Sequence, residues 1–193
     1  MTWLICDYGE VISLPQPAGD LAAIEAAAGV QGDGQSFWKA YWRHRPSYDR
    51  ADVTAAEYWR AVTGRAVNSD ALEHLARADV GSWLHPNPDS ISAVAELKER
   101  GVRLALFSNA PAELARELQS APWLGSFSEK FFSCDLNAVK PAHDSYLAVL
   151  ESLGAHPEEV VFVDDRPANV AGAQAVGIRA FVFEGPAQLA RLV

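Results

Sequence analysis

Cysteine is scarce. Cys6 and Cys134 are the only two in 193 residues. Each closes an apolar run that reads as a buried strand, so they are expected as core thiols and not as a disulfide or a metal pair. Long hydrophobic runs are missing as well. The run from Val160 to Val163 is far shorter than the roughly 20 residues a membrane-spanning helix needs, so a soluble chain with no membrane partner is expected. The N-terminus lacks the basic segment, apolar stretch and small-residue cleavage site of a secretory signal, which points to a cytoplasmic protein. Positive charge is in deficit: 16 Lys and Arg stand against 25 Asp and Glu, for a net charge of -9. That balance argues against nucleic acid, whose binders normally present a basic face. It also means that any anionic ligand must find its positive charge locally, from a cation, a lysine or helix N-termini.

What is present fits one compact domain carrying a modest insertion, since 49% of the residues are apolar. Short β-forming runs at Trp3 to Cys6, Val102 to Phe107, Val160 to Val163 and Ile178 to Phe183 alternate with helical patterns at Ser90 to Arg100, Ala112 to Gln119, Ser145 to Leu153 and Asn169 to Val176. The alternation predicts an α/β fold with a doubly wound parallel, Rossmann-like sheet, whose ligands gather at the carboxyl ends of the strands. Between residues 15 and 88 the alternation stops. Helical patterns at Gly19 to Ala28, Gln35 to Arg45, Thr54 to Thr63 and Ser69 to Ala78 follow one another without a strand, which predicts a small all-helical insertion. The expected division is therefore 1–14 and 89–193 for the core and 15–88 for the insertion.

Polar residues sit where the strands end. Asp7 follows the first strand, Ser108 and Asn109 the second, and Asp164 and Asp165 the third, while Lys140 precedes Pro141 at the start of a helix. Each alone is most simply a cap, a turn or a solvated charge. In a parallel sheet they converge on one rim. Together they form a carboxylate nucleophile, a hydroxyl and amide cradle for an anion, a lysine, and a carboxylate pair suited to a hard cation such as Mg²⁺. Those are the parts phosphoryl transfer uses.

With these residues in place, the chain resembles the haloacid dehalogenase superfamily. The matching segments are ICDYGEVI, LALFSNA, VKPAHDSY and VVFVDDRPANVAGAQAVGI, in that order. The resemblance is to the phosphatase branch with a helical cap of the first class, similar to bacterial sugar-1-phosphate phosphatases. It implies that Asp7 is the nucleophile and a Mg²⁺ ligand, that the Gly9 carbonyl and Asp165 are further ligands, and that Asp164 lies beside the metal. It also implies that Ser108 and the Asn109 amide hold phosphate oxygens, that Lys140 neutralises charge between nucleophile and phosphate, and that Asn169 supports the acidic loop. The implied activity is hydrolysis of a small phosphorylated metabolite, such as a sugar phosphate, through an aspartyl-phosphate.

The sequence departs from that family at Gly9, where most of its phosphatases carry a second aspartate that protonates the leaving group. General acid-base assistance contributes about 10²- to 10⁴-fold in rate, so leaving groups that depart readily are expected to be favoured. Glu10 is the neighbouring candidate donor, with a loop-stabilising carboxylate as the plainer reading. Aromatics in the insertion read mainly as its core; Trp38, Tyr41, Trp42, Arg45 and Tyr48 are also candidates for a substrate wall, with Tyr48 expected in a loop. Two other readings of the same residues are a metal-independent 2-haloacid dehalogenase and a non-catalytic ligand-binding relative.

Overall fold

The computed structural model describes residues 2–193, leaving Met1, the first position of the expected core, outside the described residues. Five parallel strands form the sheet: β1 (Trp3–Cys6), β2 (Arg103–Ser108), β3 (Glu129–Phe132), β4 (Val160–Asp164) and β5 (Arg179–Val182). Their order is β3-β2-β1-β4-β5. The chain leaves β1 toward one edge and later crosses back to the other, so the carboxyl ends of β2, β1 and β4 lie side by side.

The core strands are apolar on both sides because both faces are covered. Leu4, Cys6, Leu104, Leu106, Val161 and Val163 pack on one face against α5 (Pro88–Glu99), α6 (Ala112–Gln119) and α10 (Pro186–Leu192). Trp3, Ile5, Ala105, Phe107, Val160 and Phe162 pack on the other against α8 (His143–Leu153) and α9 (Pro167–Ala175). This two-residue period continues past Cys6 and places Asp7 at the rim. Both cysteines are free and buried. Cys134 lies in the short helix α7 (Ser133–Leu136) just after β3, so its apolar run is strand only as far as Phe132.

Between β1 and β2 stand α1 (Ala18–Ala28), α2 (Gln35–Asp49), α3 (Ala55–Thr63) and α4 (Ser69–Trp83). A reciprocal box between Thr54 and Glu57 caps α3, and the Asn68 side chain caps α4, each satisfying amides that the first helical turn leaves unpaired. These helices enclose an apolar cluster of their own that includes Ile24, Phe37, Tyr41, Tyr58, Trp59 and Leu75. The two strands of chain entering and leaving them are joined. The Leu14 amide donates to the His85 carbonyl at 2.7 Å and the Asn87 amide to the Ile12 carbonyl at 2.8 Å. Among the described residues, no helix is long and apolar enough to cross a membrane.

Candidate active site

Strand geometry brings the polar residues together. Lys140 is buried with its Nζ 2.7 Å from Asp7 Oδ1, and it donates to Asp164 Oδ2 at 2.8 Å and to the Phe107 carbonyl at 2.9 Å. An ammonium has three N–H groups, and three acceptors surround this one. Burial opposes its charge, but Asp7 and Asp164 outweigh that and hold the lysine pKa above its usual value. Its backbone is clamped too: the Asn109 side chain donates to the Lys140 carbonyl and accepts from the Lys140 amide, both at 2.9 Å. Asn109 thus spends its side chain on placing Lys140.

The carboxylates divide into one that is saturated and two that are open. Asp164 is 0% exposed and accepts from Lys140, from both contacts of the Asn169 amide (2.9 and 3.0 Å) and from the Arg166 backbone. Asp7 Oδ2 and the Asp165 carboxylate have no hydrogen-bond donor among the described residues. Carboxylate oxygens of Asp7, Asp164 and Asp165 lie within 4.8 Å of one another. Burial, with Asp164 nearby, pushes Asp7 up to about 7 even against the pull of Lys140. Burial and Asp164 push Asp165 up to about 6. Crowded anions with open oxygens and a raised proton affinity suit a hard divalent cation.

A cavity of about 460 Å³ opens over this cluster. Its floor includes Asp7, Gly9, Ser108, Asn109, Lys140 and Asp165, with Glu10 at the exposed rim. The Ser108 hydroxyl has no partner among the described residues. The Glu10 amide donates to Ser13 Oγ at 3.1 Å, and its backbone takes the left-handed φ of 54°, which turns its side chain away from the line of the strand.

The helical insertion supplies the roof, though not with all the residues expected. Trp42 and Arg45 line the cavity. Trp38, Tyr41 and Tyr48 do not: Trp38 bonds Glu25 at 2.5 Å, Tyr41 is buried against Trp59 and Asp79, and Tyr48 bonds Glu113 at 3.0 Å. Tyr48 also lies in α2 and not in a loop, because the helix continues through Pro46 to Asp49. Trp83, Pro46, Asp49 and Arg166 line the cavity as well. Asp49 follows a proline that reads as a helix stop, and no pattern in the sequence marks it.

Residues 17–177 match the family of haloacid dehalogenase-like hydrolases. The chain belongs to that family. Among curated relatives it is 32% identical to a sesquiterpene phosphatase of Aspergillus oryzae over 67% of this chain and 74% of that one. It is 34% identical to an (S)-2-haloacid dehalogenase of Xanthobacter autotrophicus over 64% of this chain and 47% of that one. The chain spans only 57% and 54% of the length of two further curated relatives. In fold, this haloacid dehalogenase-like hydrolase is similar to a family enzyme of Bacteroides thetaiotaomicron solved with magnesium and inorganic phosphate. The TM-score is 0.74 at 20% identity, over 94% of this chain and 93% of that one.

Proposed function

We propose that this hydrolase cleaves a small phosphate monoester with the help of Mg²⁺, working in the cytoplasm, with Asp7 as the nucleophile and residues 15–88 as a cap over the site. The observation that carries the reading is the pairing of an open Asp7 oxygen with a fully engaged Lys140 and a second open carboxylate at Asp165. Asp7 and Asp165, with the Gly9 carbonyl, are the groups that would hold the ion, while Asp164 orients Lys140 and Asn169 beside them. When bound, Mg²⁺ neutralises charge on the phosphoryl oxygens. Ser108 Oγ and the Asn109 amide receive those oxygens, and Lys140 aligns Asp7 for in-line attack. The aspartyl-phosphate so formed is then hydrolysed.

A dehalogenase would displace halide with Asp7 and has no use for the open Asp165 carboxylate, so the acidic cluster favours the phosphatase. A panel of phosphorylated metabolites assayed with Mg²⁺ and with chelator, beside a 2-haloacid, tests the choice. The expected result is phosphate release that chelator removes and that Asp7→Asn abolishes in a folded protein. Halide release undiminished by chelator would establish the dehalogenase instead. No turnover of either class would support a non-catalytic relative.

A further inference from the structure

Gly9 leaves the site without a proton donor at the family's usual place, and the cavity contains one other buried carboxylate able to act. Asp49, at the end of α2, lines the cavity and is 6% exposed. Its Oδ1 accepts from Arg45 Nε at 2.6 Å, while Oδ2 has no partner among the described residues. The end of α2 is tied to the phosphate cradle by a single side chain. The Ser133 hydroxyl accepts from the Ala110 amide at 2.9 Å and donates to the Asp49 carbonyl at 2.6 Å. Ala110 directly follows Ser108 and Asn109, so the cap carboxylate is fixed to the segment proposed to hold phosphate.

Charge balance puts a proton there. Arg45 is one guanidinium shared by two buried carboxylates, since its Nη1 also lies 3.1 Å from both oxygens of Asp79. Tyr41 donates to Asp79 as well. The group of Arg45, Asp49 and Asp79 would thus bury one excess negative charge, which proton uptake removes. Asp79 has its oxygens engaged and is 2% exposed, whereas Asp49 faces the cavity. Burial raises the Asp49 carboxyl above the usual range despite the opposing Arg45; Asp79 adds to the rise, and Arg166 across the cavity counters it. Tyr48 and Tyr58 are further titratable groups close by.

Resting on the phosphatase reading, we infer that Asp49 is the general acid and base of this enzyme, delivered from the cap in place of the carboxylate absent at Gly9. As an Asp7 oxygen bonds to phosphorus, the bond from phosphorus to the ester oxygen breaks and that oxygen takes the Asp49 proton, leaving as a neutral alcohol. The Asp49 carboxylate then accepts a proton from the water that attacks the aspartyl-phosphate. Inorganic phosphate and free Asp7 result, and Asp49 is again protonated.

The test is the dependence of the chemical step on leaving-group acidity in single-turnover experiments with Mg²⁺. Asp49→Asn keeps an oxygen for Arg45. It is expected to lower alkyl phosphate turnover by about 10²- to 10⁴-fold while changing activated aryl phosphate turnover only slightly, with inhibition by inorganic phosphate unaltered. Equal losses on both classes would make Asp49 a merely structural residue and overturn the inference, as would no loss on either. Gly9→Asp gives a second, independent reading. Gly9 does not have a positive φ, and a Cβ there would meet Trp83 at an ordinary 3.5 Å. Added to Asp49→Asn, it is expected to restore alkyl turnover selectively. A large, selective gain on alkyl esters from Gly9→Asp alone would show that the wild type lacks a donor and would overturn the proposal. A wild type that hydrolyses no phosphate ester would instead overturn the phosphatase reading beneath it.

Discussion

Lys140 holds a charge where an unpaired one is not tolerated, and that fixes the different consequences of removing the two adjacent aspartates. Asp164→Ala would leave the buried ammonium short of an acceptor and take both bonds from the Asn169 amide. Breaking such a buried pair costs about 3–5 kcal/mol, so this variant is expected to lose stability first. Asp165 is only half-buried and holds nothing else in place; Asp165→Ala should keep the fold and lose Mg²⁺ affinity. Thermal unfolding beside a Mg²⁺ titration separates the two, and an Asp165→Ala protein that binds the ion as tightly as wild type would remove Asp165 from the proposed metal site. The raised carboxyls add a pH dependence. Asp7 goes from an ordinary 3.8 to about 7 and Asp165 to about 6, so without a cation folding takes up protons and stability falls as pH rises from about 4 to 7. A bound cation competes with those protons. The Mg²⁺-induced rise in melting temperature is therefore expected to be larger at pH 8 than at pH 5, and an equal rise at both would contradict this account.

Helix α2 presents two faces with different duties. Trp42 is 48% exposed and stands at the cavity, while Trp38, one turn earlier, packs edge-on against Phe37 and Tyr41. Trp38→Ala is expected to cost about 2 kcal/mol, below the usual range for a buried tryptophan because the ring is partly exposed, with relative rates on several phosphates unchanged. Trp42→Ala should do the reverse and shift substrate preference with little change in melting temperature. Identical relative rates in both variants would exclude Trp42 from the substrate wall. Strands β1, β2 and β4 were legible because they are enclosed on both faces, with Leu4, Leu106 and Val161 on one side and Ile5, Phe107 and Phe162 on the other. The edge strand β5 was read from apolar residues of which Phe181 and Val182 are exposed. β3 was harder to read: Glu129 and Lys130 occupy half of this edge strand and are exposed. The last turn of α2 was hidden by Pro46, which lacks the amide a helix interior uses and so reads as a stop, although the helix passes through it.

At the scale of the whole molecule, the floor of the site was legible because a parallel sheet sends the ends of its strands to one rim whatever their separation in sequence. Asp7, Ser108 and Asp164 needed only that rule. The roof was not legible, since which side chain of α2 reaches the cavity depends on how the cap helices pack, and Asp49 reaches it from a turn that the sequence conceals. The joined stems of the insertion carry a kinetic consequence. Pairing Trp3 with Arg103 closes a chain loop of about 100 residues. Once the helices have collapsed and Leu14 has met His85, the separation that remains is about 11 residues on one side and 18 on the other. Loop-closure entropy grows as three halves of RT times the logarithm of length, so the shortcut lowers the entropic barrier to that strand pairing by about 1 kcal/mol. An assembly order with the insertion first follows. Trp59→Ala, which loosens only the helical cluster, should then slow refolding of the distant sheet in a stopped-flow experiment; a variant that merely unfolded faster would place the sheet first.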